Sequence, residues 1–271
     1  MVVKRVLYDE KAAYPDDYIT IISSGGIEQR LYLRMAIANL NDLKIRIKEA
    51  DKAFAHGSYA YGDGKIESRK MKLSCHIRGK NQQEHDYQYN ELVRLLTQRD
   101  YSLRMARDDR EYHVAGLMEI KQKWIKGFKW LWSDIDITLM LTDPFIYAAA
   151  DTKVKTIFTE AQTDTLISFY NESSIDVPLV LEFKPLEGTP MDNIKLTHVE
   201  SGEQMWLTDA LLSYPRSVRI DGNRGTVRRN NDNSINTFSG VFLHAWAGRN
   251  HFNFTGSPGE INIIYRARWF A

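Results

Sequence analysis

The chain has 271 residues, of which 43% are hydrophobic and 26% charged, and its 36 basic residues nearly balance 35 acidic ones. The resulting net charge of +1 argues against a dedicated nucleic-acid-binding protein. The single cysteine, Cys75, excludes an internal disulfide, and the absence of any apolar run of about 18 residues excludes a membrane-spanning helix.

Strand signals dominate the first half of the chain. Apolar and polar residues alternate with period two at residues 43–48, 70–78, 101–105 and 134–141. Such alternation is typical of antiparallel strands that bury one face and expose the other. We therefore predict antiparallel sheets that each pack one face against a hydrophobic core and expose the other face to solvent.

One segment breaks this pattern and predicts a helix over roughly residues 82–98. Four apolar side chains there recur at helical spacing: Tyr89, Leu92, Val93 and Leu96. Asn81 followed by Glu84 resembles a capping box that starts the helix. This is the one helix that the sequence predicts with a start signal, and we expect it to lie over a sheet.

A glycine-bearing stretch, GSYAYGDGK at residues 57–65, resembles a phosphate-binding loop only superficially. Asp63 follows Gly62, where its carboxylate would repel phosphate, and no Ser or Thr follows the lysine. The favoured interpretation is the tip of a long hairpin. Tyr59 and Tyr61 would lie on that tip and are candidates for contact with a partner.

Two segments are rich in basic side chains that could bind a partner. Residues 121–132 interleave lysines with tryptophans, a pattern that could stack single-stranded nucleic acid or form a protein interface. We favour the interface, with Trp124 and Trp130 as candidates. Residues 216–231 hold five arginines, which could meet phosphate, although their turn signals favour a solvated hairpin.

Few residues suggest catalysis or metal binding. Asp134 and Asp136 share one strand face at a spacing that a glycosidase could use, but charged residues are also normal on a solvated face, and we favour that interpretation. His244 and His251, with the distant His198, could bind a metal but more often are ordinary strand histidines. The sequence therefore predicts no enzyme activity, no cofactor and no metal.

The strand pattern stops near Pro144, which cannot donate to a sheet ladder. We place a domain boundary at 146–152, with domains at 1–148 and 149–271. Beyond the boundary, short alternating segments such as VPLVLEF, QMWLT, HFNFT and INIIYRARW are separated by turns. Many short strands at near-regular spacing predict a β-sandwich.

Three regions together resemble the distal tail proteins of long-tailed phages. They are the hairpin, strand and helix in YGDGKIESRKMKLSCHIRGKNQQEHDYQYNELVRLL, the segment WLWSDIDITLMLTDPFIY, and the closing glycine turn with INIIYRARWF. The resemblance implies a mainly β protein with one helix: an N-terminal tail-tube-like β-sandwich flanked by that helix, and a C-terminal galectin-like β-sandwich.

The resemblance also implies a function. Copies would form a ring, commonly a hexamer, that joins the tail tube to a baseplate or to receptor-binding proteins. DNA would pass through the ring without specific binding. The protein would be made in the host cytoplasm and built into the phage tail tip, as a structural component without enzyme activity, cofactor or membrane span.

A carbohydrate-binding module is the alternative function. Galectin-type sandwiches can hold sugar through an exposed tryptophan together with arginine, asparagine and histidine. Candidate residues here are Trp206, Trp246, Arg249 and Asn250. The stretch HAWAGRN, however, departs from the galectin pattern His-x-Asn-Pro-Arg.

Overall fold

Antiparallel strands make up most of the structure, a computed structural model that describes residues 18–35, 37, 42–105 and 110–270. The described part contains one α-helix, so the predicted mainly β class with one helix is confirmed. The chain divides into two units. The described residues up to Ala149 form the N-terminal unit together with Phe270, and Ala150–Trp269 form the C-terminal unit.

The N-terminal unit contains two sheets and a separate hairpin. Its sheets have the strand orders β2-β1-β6-β7-β10 and β5-β9-β8, and β3 pairs with β4. The elements are β1 (Tyr18–Ile22), β2 (Glu28–Tyr32), β3 (Lys48–Asp51), β4 (Ser58–Tyr61), β5 (Arg69–Arg78), α1 (Gln82–Leu96), β6 (Tyr101–Met105), β7 (Arg110–Val114), β8 (Gly116–Trp124), β9 (Trp132–Leu141) and β10 (Ile146–Ala148).

Alternating residues of both sheets form the core of this unit. Ile19 and Leu103 come from the first sheet, while β5 and β9 contribute the apolar rows that their alternation predicted. Leu92 and Leu96 of the helix join the same cluster. Cys75 also lies in it, and burial raises the pKa of its thiol to about 12, which makes the thiol unreactive.

The helix begins where the capping signal predicted it. The Asn81 side chain accepts a hydrogen bond from the Glu84 N–H at 2.8 Å, and the Glu84 carboxylate accepts from the Lys80 N–H at 2.8 Å. The helix ends at Leu96, two residues before the predicted end, and Asp100, with a φ of 54°, lies in the turn that leads into β6. No helix in the described part of the chain is long and apolar enough to cross a membrane.

The C-terminal unit has a six-stranded sheet, a five-stranded sheet and a short pair. Their orders are β11-β23-β14-β17-β18-β19, β12-β22-β15-β16-β20 and β13-β21. The elements are β11 (Thr152–Phe158), β12 (Gln162–Asn171), β13 (Val177–Pro178), β14 (Val180–Pro185), β15 (Asn193–His198), β16 (Gln204–Thr208), β17 (Val218–Asp221), β18 (Thr226–Arg229), β19 (Asp232–Asn233), a 3₁₀ helix (Ile235–Thr237), β20 (Phe238–Gly240), β21 (His244–Ala245), β22 (Gly248–Gly256), β23 (Gly259–Tyr265) and β24 (Arg268–Trp269).

The inner faces of the two large sheets form one core. Phe183 and Ile261 of the six-stranded sheet and Phe252 and Phe254 of the five-stranded sheet are buried in the same cluster. Phe158 stacks on Phe254 with ring centroids 5.1 Å apart. The unit is therefore a β-sandwich, as the sequence predicted.

Candidate functional site

The hairpin of β3 and β4, here called the arm, is exposed on both faces. All eight of its strand residues are exposed. Tyr59 and Tyr61 lie opposite Ala50 and Lys48 and so share one face, with 64% and 54% of each residue accessible. The predicted tip at residues 57–65 is wrong in position: Tyr59 and Tyr61 lie on β4, the turn lies between Asp51 and Ser58, and Gly62 and Gly64 follow β4 at the base. Strand β5 comes next, so this glycine stretch is not a phosphate loop that opens a helix.

The arm tip carries a third aromatic residue that the sequence analysis missed. Phe54 is fully exposed and has a φ of 60°, in the left-handed region that bulky residues rarely adopt. At the base, Gly62 has a φ of 143°, and a Cβ there would lie 2.2 Å from the Arg46 carbonyl oxygen. Only glycine therefore fits at the base of the arm.

The segment before the arm corrects one prediction. Alternation at residues 43–48 predicted a strand with a buried row, but only Ile45 makes an isolated bridge, to Ile66. Leu43, Ile45 and Ile47 are 44%, 50% and 56% exposed. The apolar row is present, but nothing else in the described part of the chain covers it.

A second exposed aromatic group lies at the turn between β8 and β9. Trp124 and Trp130, which are 37% and 46% exposed, are here called the aromatic patch, and Phe128 and Trp132 form a second pair. The two predicted residues, Trp124 and Trp130, meet edge to face at 5.3 Å, and Phe128 stacks on Trp132 at 3.9 Å. Trp130 has a φ of 69°, a strained conformation that keeps its ring beside Trp124. The structure thus unites both candidates in one surface cluster.

The lysines around the aromatic patch are mostly engaged within the chain. Lys123 donates to Asp136 at 2.8 Å, Lys121 pairs with Glu119 at 2.9 Å, and Lys129 lies 4.6 Å from the centre of the Trp130 ring. Internal carboxylates therefore already neutralise two of these cations. The arrangement favours a protein interface over binding of single-stranded nucleic acid.

Asp134 and Asp136 lie on the outer face of the β5-β9-β8 sheet and are both paired with cations. Asp134 contacts Arg34 and His76. Hydrogen bonds from Lys123 and Ser74 lower the pKa of Asp136. A glycosidase acid needs a raised pKa, so the shift of Asp136 has the wrong direction for that role.

A buried polar cluster resembles a catalytic triad in composition only. The Nε2 atom of His85 lies 2.8 Å from the Ser133 Oγ, and its Nδ1 lies 3.3 Å from Asp86. His85 and Ser133 are both completely buried, and Trp124 packs on the imidazole at 4.7 Å. No substrate can reach this serine, so the cluster ties α1 to β9.

Glu200 connects two of the three candidate histidines. Its carboxylate lies 3.1 Å from the His198 Nε2 and also contacts the His251 Nδ1, whereas His244 pairs with Pro178 in the separate short sheet. Among the described residues, no group of three or more His, Cys, Asp or Glu side chains could hold a metal ion. No local pattern marks Glu200, because the fold alone brings it to His251, where the neighbouring Val199 N–H donates to the His251 carbonyl.

The four carbohydrate candidates do not form one cluster. Asn250 is buried, and its amide is fully used: the oxygen accepts from the Trp246 N–H at 2.7 Å and contacts His198, while the nitrogen donates to the Trp246 and Gly248 carbonyls. Trp246 packs edge-on against the buried His198 at 5.2 Å. Trp206 and Arg249 lie on the outer face of the five-stranded sheet.

Three of the five arginines at 216–231 have partners within their own unit. They are Arg229, which donates twice to Asp209 at 2.6 and 2.8 Å, Arg219, which pairs with Glu182, and Arg216, which donates to the Leu211 carbonyl at 3.0 Å. These contacts stabilise the sandwich. Because three of the five arginines are already paired, the segment is a poor site for binding phosphate.

Ion pairs cross the outer face of the six-stranded sheet. Glu260 lies 2.7 Å from the Lys155 Nζ and 3.7 Å from the Lys184 Nζ, and Glu182 pairs with Lys184 and Arg219. The hydrogen bond from Lys155 is the main reason that the pKa of Glu260 is lowered. This face is typical of a solvated sheet surface.

The lowered pKa of Glu260 predicts that its contribution to the free energy of unfolding depends on pH. The ionised Glu260 stabilises the fold above its unfolded pKa of about 4.3, and the contribution disappears as pH falls through its lower folded pKa. Glu260→Gln should therefore cost up to about 1 kcal/mol at pH 7 and almost nothing near pH 3. Urea unfolding at both pH values measures this, with the exposed Glu160→Gln as control. An equal cost at both pH values would contradict the assignment.

No protein-family model matches the sequence, and no curated protein matches it either. The structure is similar to the Dit protein of phage SPP1, with a TM-score of 0.73, 9% identity, and coverage of 92% of this chain and 98% of that chain. It also matches chains of the phage P2 baseplate in its activated conformation, with calcium (TM-score 0.47, 9% identity, 91% and 97% coverage) and with strontium (0.45, 10%, 91% and 97%). The chain therefore has the overall fold of the SPP1 protein along nearly its whole length.

Proposed function

We propose that this chain is a structural phage tail-tip protein, a distal tail protein whose copies form a ring hub. The observation that carries the proposal is the full-length likeness in fold to the SPP1 Dit protein, which is described as a paradigm of the hub adsorption apparatus in phages that infect Gram-positive bacteria. In this role, the N-terminal domain (1–148) is the tail-tube-like ring former, and the C-terminal domain (149–271) is a galectin-like sandwich.

Two surfaces of the N-terminal unit support ring formation. A closed ring repeats one heterologous contact, which needs two different patches on each subunit. The arm, with the exposed apolar row that precedes it, is one such patch, and the aromatic patch is another. Exposed aromatic and aliphatic side chains at this density are typical of protein interfaces.

The chemistry of the remaining clusters supports a structural role in the virion. The buried Ser133 and the cation-paired Asp134 and Asp136 are poor catalytic groups. A net charge of +1 suits a conduit that lets DNA pass without holding it. The partners in this role are the tail tube protein on one side and tail-associated or receptor-binding proteins on the other.

Electron microscopy of the purified protein tests the proposal. Negative-stain images should show rings with a central hole, six-fold in symmetry, and light scattering should give the matching mass. A uniform monomer at high protein concentration in both measurements would contradict the ring hub.

If the arm forms the contact between subunits, removal of its two tyrosine rings should weaken ring assembly. Tyr59→Ser with Tyr61→Ser removes two exposed rings, and buried aromatic residues at interfaces contribute about 2 kcal/mol or more each. We expect the double variant to need at least a tenfold higher concentration to assemble, as measured by mass photometry. Tyr214→Ser, which changes a tyrosine of 58% exposure in the C-terminal unit, is the matched control and should assemble normally. Equal assembly of the double variant and the control would exclude the arm as the contact.

A further inference from the structure

The free edges of the sheets differ in how well they are protected against pairing with another chain. β2, β8 and β11 are edge strands that carry lysine or arginine, such as Arg30, Lys121 and Lys153. Such charges keep an exposed edge from accepting a strand of another molecule. β12, at the edge of the five-stranded sheet, has neither a charged residue nor a proline from Thr165 to Asn171. This stretch of β12 is therefore an unprotected edge.

The backbone groups of alternate β12 residues point toward this free edge. The Val199 N–H donates to the His251 carbonyl, so His251 directs its backbone groups to β15, and the next residue, Phe252, directs its own to β12. Ile167, opposite Phe252, therefore uses its backbone groups inside the sheet. The residues that alternate with Ile167 face outward and are exposed: Leu166, Ser168 and Tyr170. Apart from the Tyr170 carbonyl, which accepts from the Tyr265 hydroxyl at 2.8 Å, their backbone groups have no partner among the described residues.

This edge is complementary to itself in one antiparallel register. With a two-fold axis at Ser168, the serine hydroxyls of two copies face each other. Leu166 of each copy then lies opposite Tyr170 of the other, and on the opposite face of the sheet Ile167 lies opposite Phe169. Apolar and aromatic pairs of this kind stabilise a ladder. An axis at Ile167 would instead place Leu166 opposite Ser168, so the apolar side chains select the first register.

Two carboxylates limit the length of this pairing. In the same register, Asp164 of one copy would lie opposite Glu172 of the other, and like charges that face each other destabilise a ladder. Asp164 lies at the register shift between Gln162 and Thr165, and Glu172 follows the last residue of the strand. Both carboxylates therefore lie just outside the stretch that can pair.

We propose that the β12 edge pairs antiparallel with β12 of a second copy of this chain, which joins two five-stranded sheets into one continuous sheet. A two-fold contact is isologous, so one surface serves both copies. A charged partner strand would find no counter-charge from Thr165 to Asn171, whereas β12 itself supplies the matching apolar side chains and hydroxyl groups. The contact lies in the C-terminal unit and does not use the arm, so it does not depend on ring formation.

Disulfide formation between copies of the intact protein tests the proposal. Ser168→Cys places a cysteine at the axis, where the Cα atoms of a hydrogen-bonded antiparallel pair lie about 5.5 Å apart, within the range of a disulfide. Under mild oxidation, most of this variant should migrate as a dimer on a non-reducing gel and return to monomer with reductant. The wild-type protein should form no disulfide, since its only cysteine, Cys75, is buried.

Two further variants are matched controls for the register. Leu166→Cys and Tyr170→Cys lie on the same strand and the same exposed face, two residues on either side of the axis. Each would be about 13 Å along the strand from its own counterpart, too far for a disulfide. Neither variant should cross-link alone, but an equal mixture of the two should form a mixed dimer.

A proline at the axis tests the pairing without a cross-link. Ser168→Pro removes the central N–H at the free edge and should weaken association of the copies at least tenfold in sedimentation equilibrium. The measurement is made in the variant with Tyr59→Ser and Tyr61→Ser, so that the arm does not contribute. Circular dichroism of each variant shows that a loss of association does not come from unfolding.

Three outcomes would overturn the proposal. They are no cross-link in Ser168→Cys, equal cross-linking of Leu166→Cys alone, and unchanged association of Ser168→Pro. Rings without a Ser168→Cys cross-link would support the ring hub and refute the β12 contact. A cross-link that persists without rings would refute the ring hub and support the β12 contact.

Discussion

Replacement of Phe254 by alanine is expected to lower the free energy of unfolding by about 3–5 kcal/mol. Phe254 is completely buried between the sheets of the C-terminal unit, and its ring lies parallel to that of Phe158, with 5° between the ring planes. Removal of the ring forfeits its transfer free energy and leaves a cavity that the two sheets cannot close without breaking their ladders. Calorimetry or urea unfolding measures the loss.

Leu166→Ala is the control for this large effect. Leu166 lies on β12, next to the strand that carries Phe254, but is 55% exposed on the opposite face. Its replacement should change stability by no more than about 0.5 kcal/mol. A loss below 1 kcal/mol for Phe254→Ala would mean that this ring does not fill the centre of the sandwich.

Asp209→Ala is expected to cost about 3 kcal/mol, because it breaks a buried ion pair from one side. Asp209 is only 2% exposed, and it accepts two hydrogen bonds from Arg229 and one from the Leu211 N–H, at 3.0 Å. The variant leaves the guanidinium of Arg229 without its counter-charge inside the unit. Unfolding in urea, followed by tryptophan fluorescence, measures the loss.

An exposed ion pair serves as the control for the stability cost of Asp209→Ala. Glu182 pairs with Arg219 on the solvated outer face, where the arginine side chain is 48% exposed. Glu182→Ala should cost less than about 1 kcal/mol, since water replaces the lost partner. If Asp209→Ala costs no more than Glu182→Ala, then Arg229 reaches solvent without its carboxylate.

Local patterns predicted the strands and the helix well, for a definite reason. In β5, Met71, Leu73, Cys75 and Ile77 alternate with polar residues and are all buried as predicted. The capping signal at Asn81 correctly located the start of the helix. Alternation along a strand and capping of a helix both depend on residues only a few positions apart, so both can be predicted from the sequence.

The same reasoning failed where burial depends on a distant neighbour. Alternation at residues 43–48 predicted a buried row, yet Ile45 and Ile47 are about half exposed because no other described element packs against them. Period two shows that side chains share a face, but it does not show what covers that face. An apolar row that the other described residues leave exposed is what the ring proposal requires.

The sequence by itself determined the mainly β class, the one helix and the alternation that divides each strand into an inner and an outer face. The tertiary structure decided which strands are neighbours, and therefore which side chains meet. It buried Asn250, linked His198 and His251 through Glu200, and aligned Gln204, Thr197 and Asn253 across three strands. Strand order joins residues some 50 positions apart, and a local pattern cannot encode a contact over that separation.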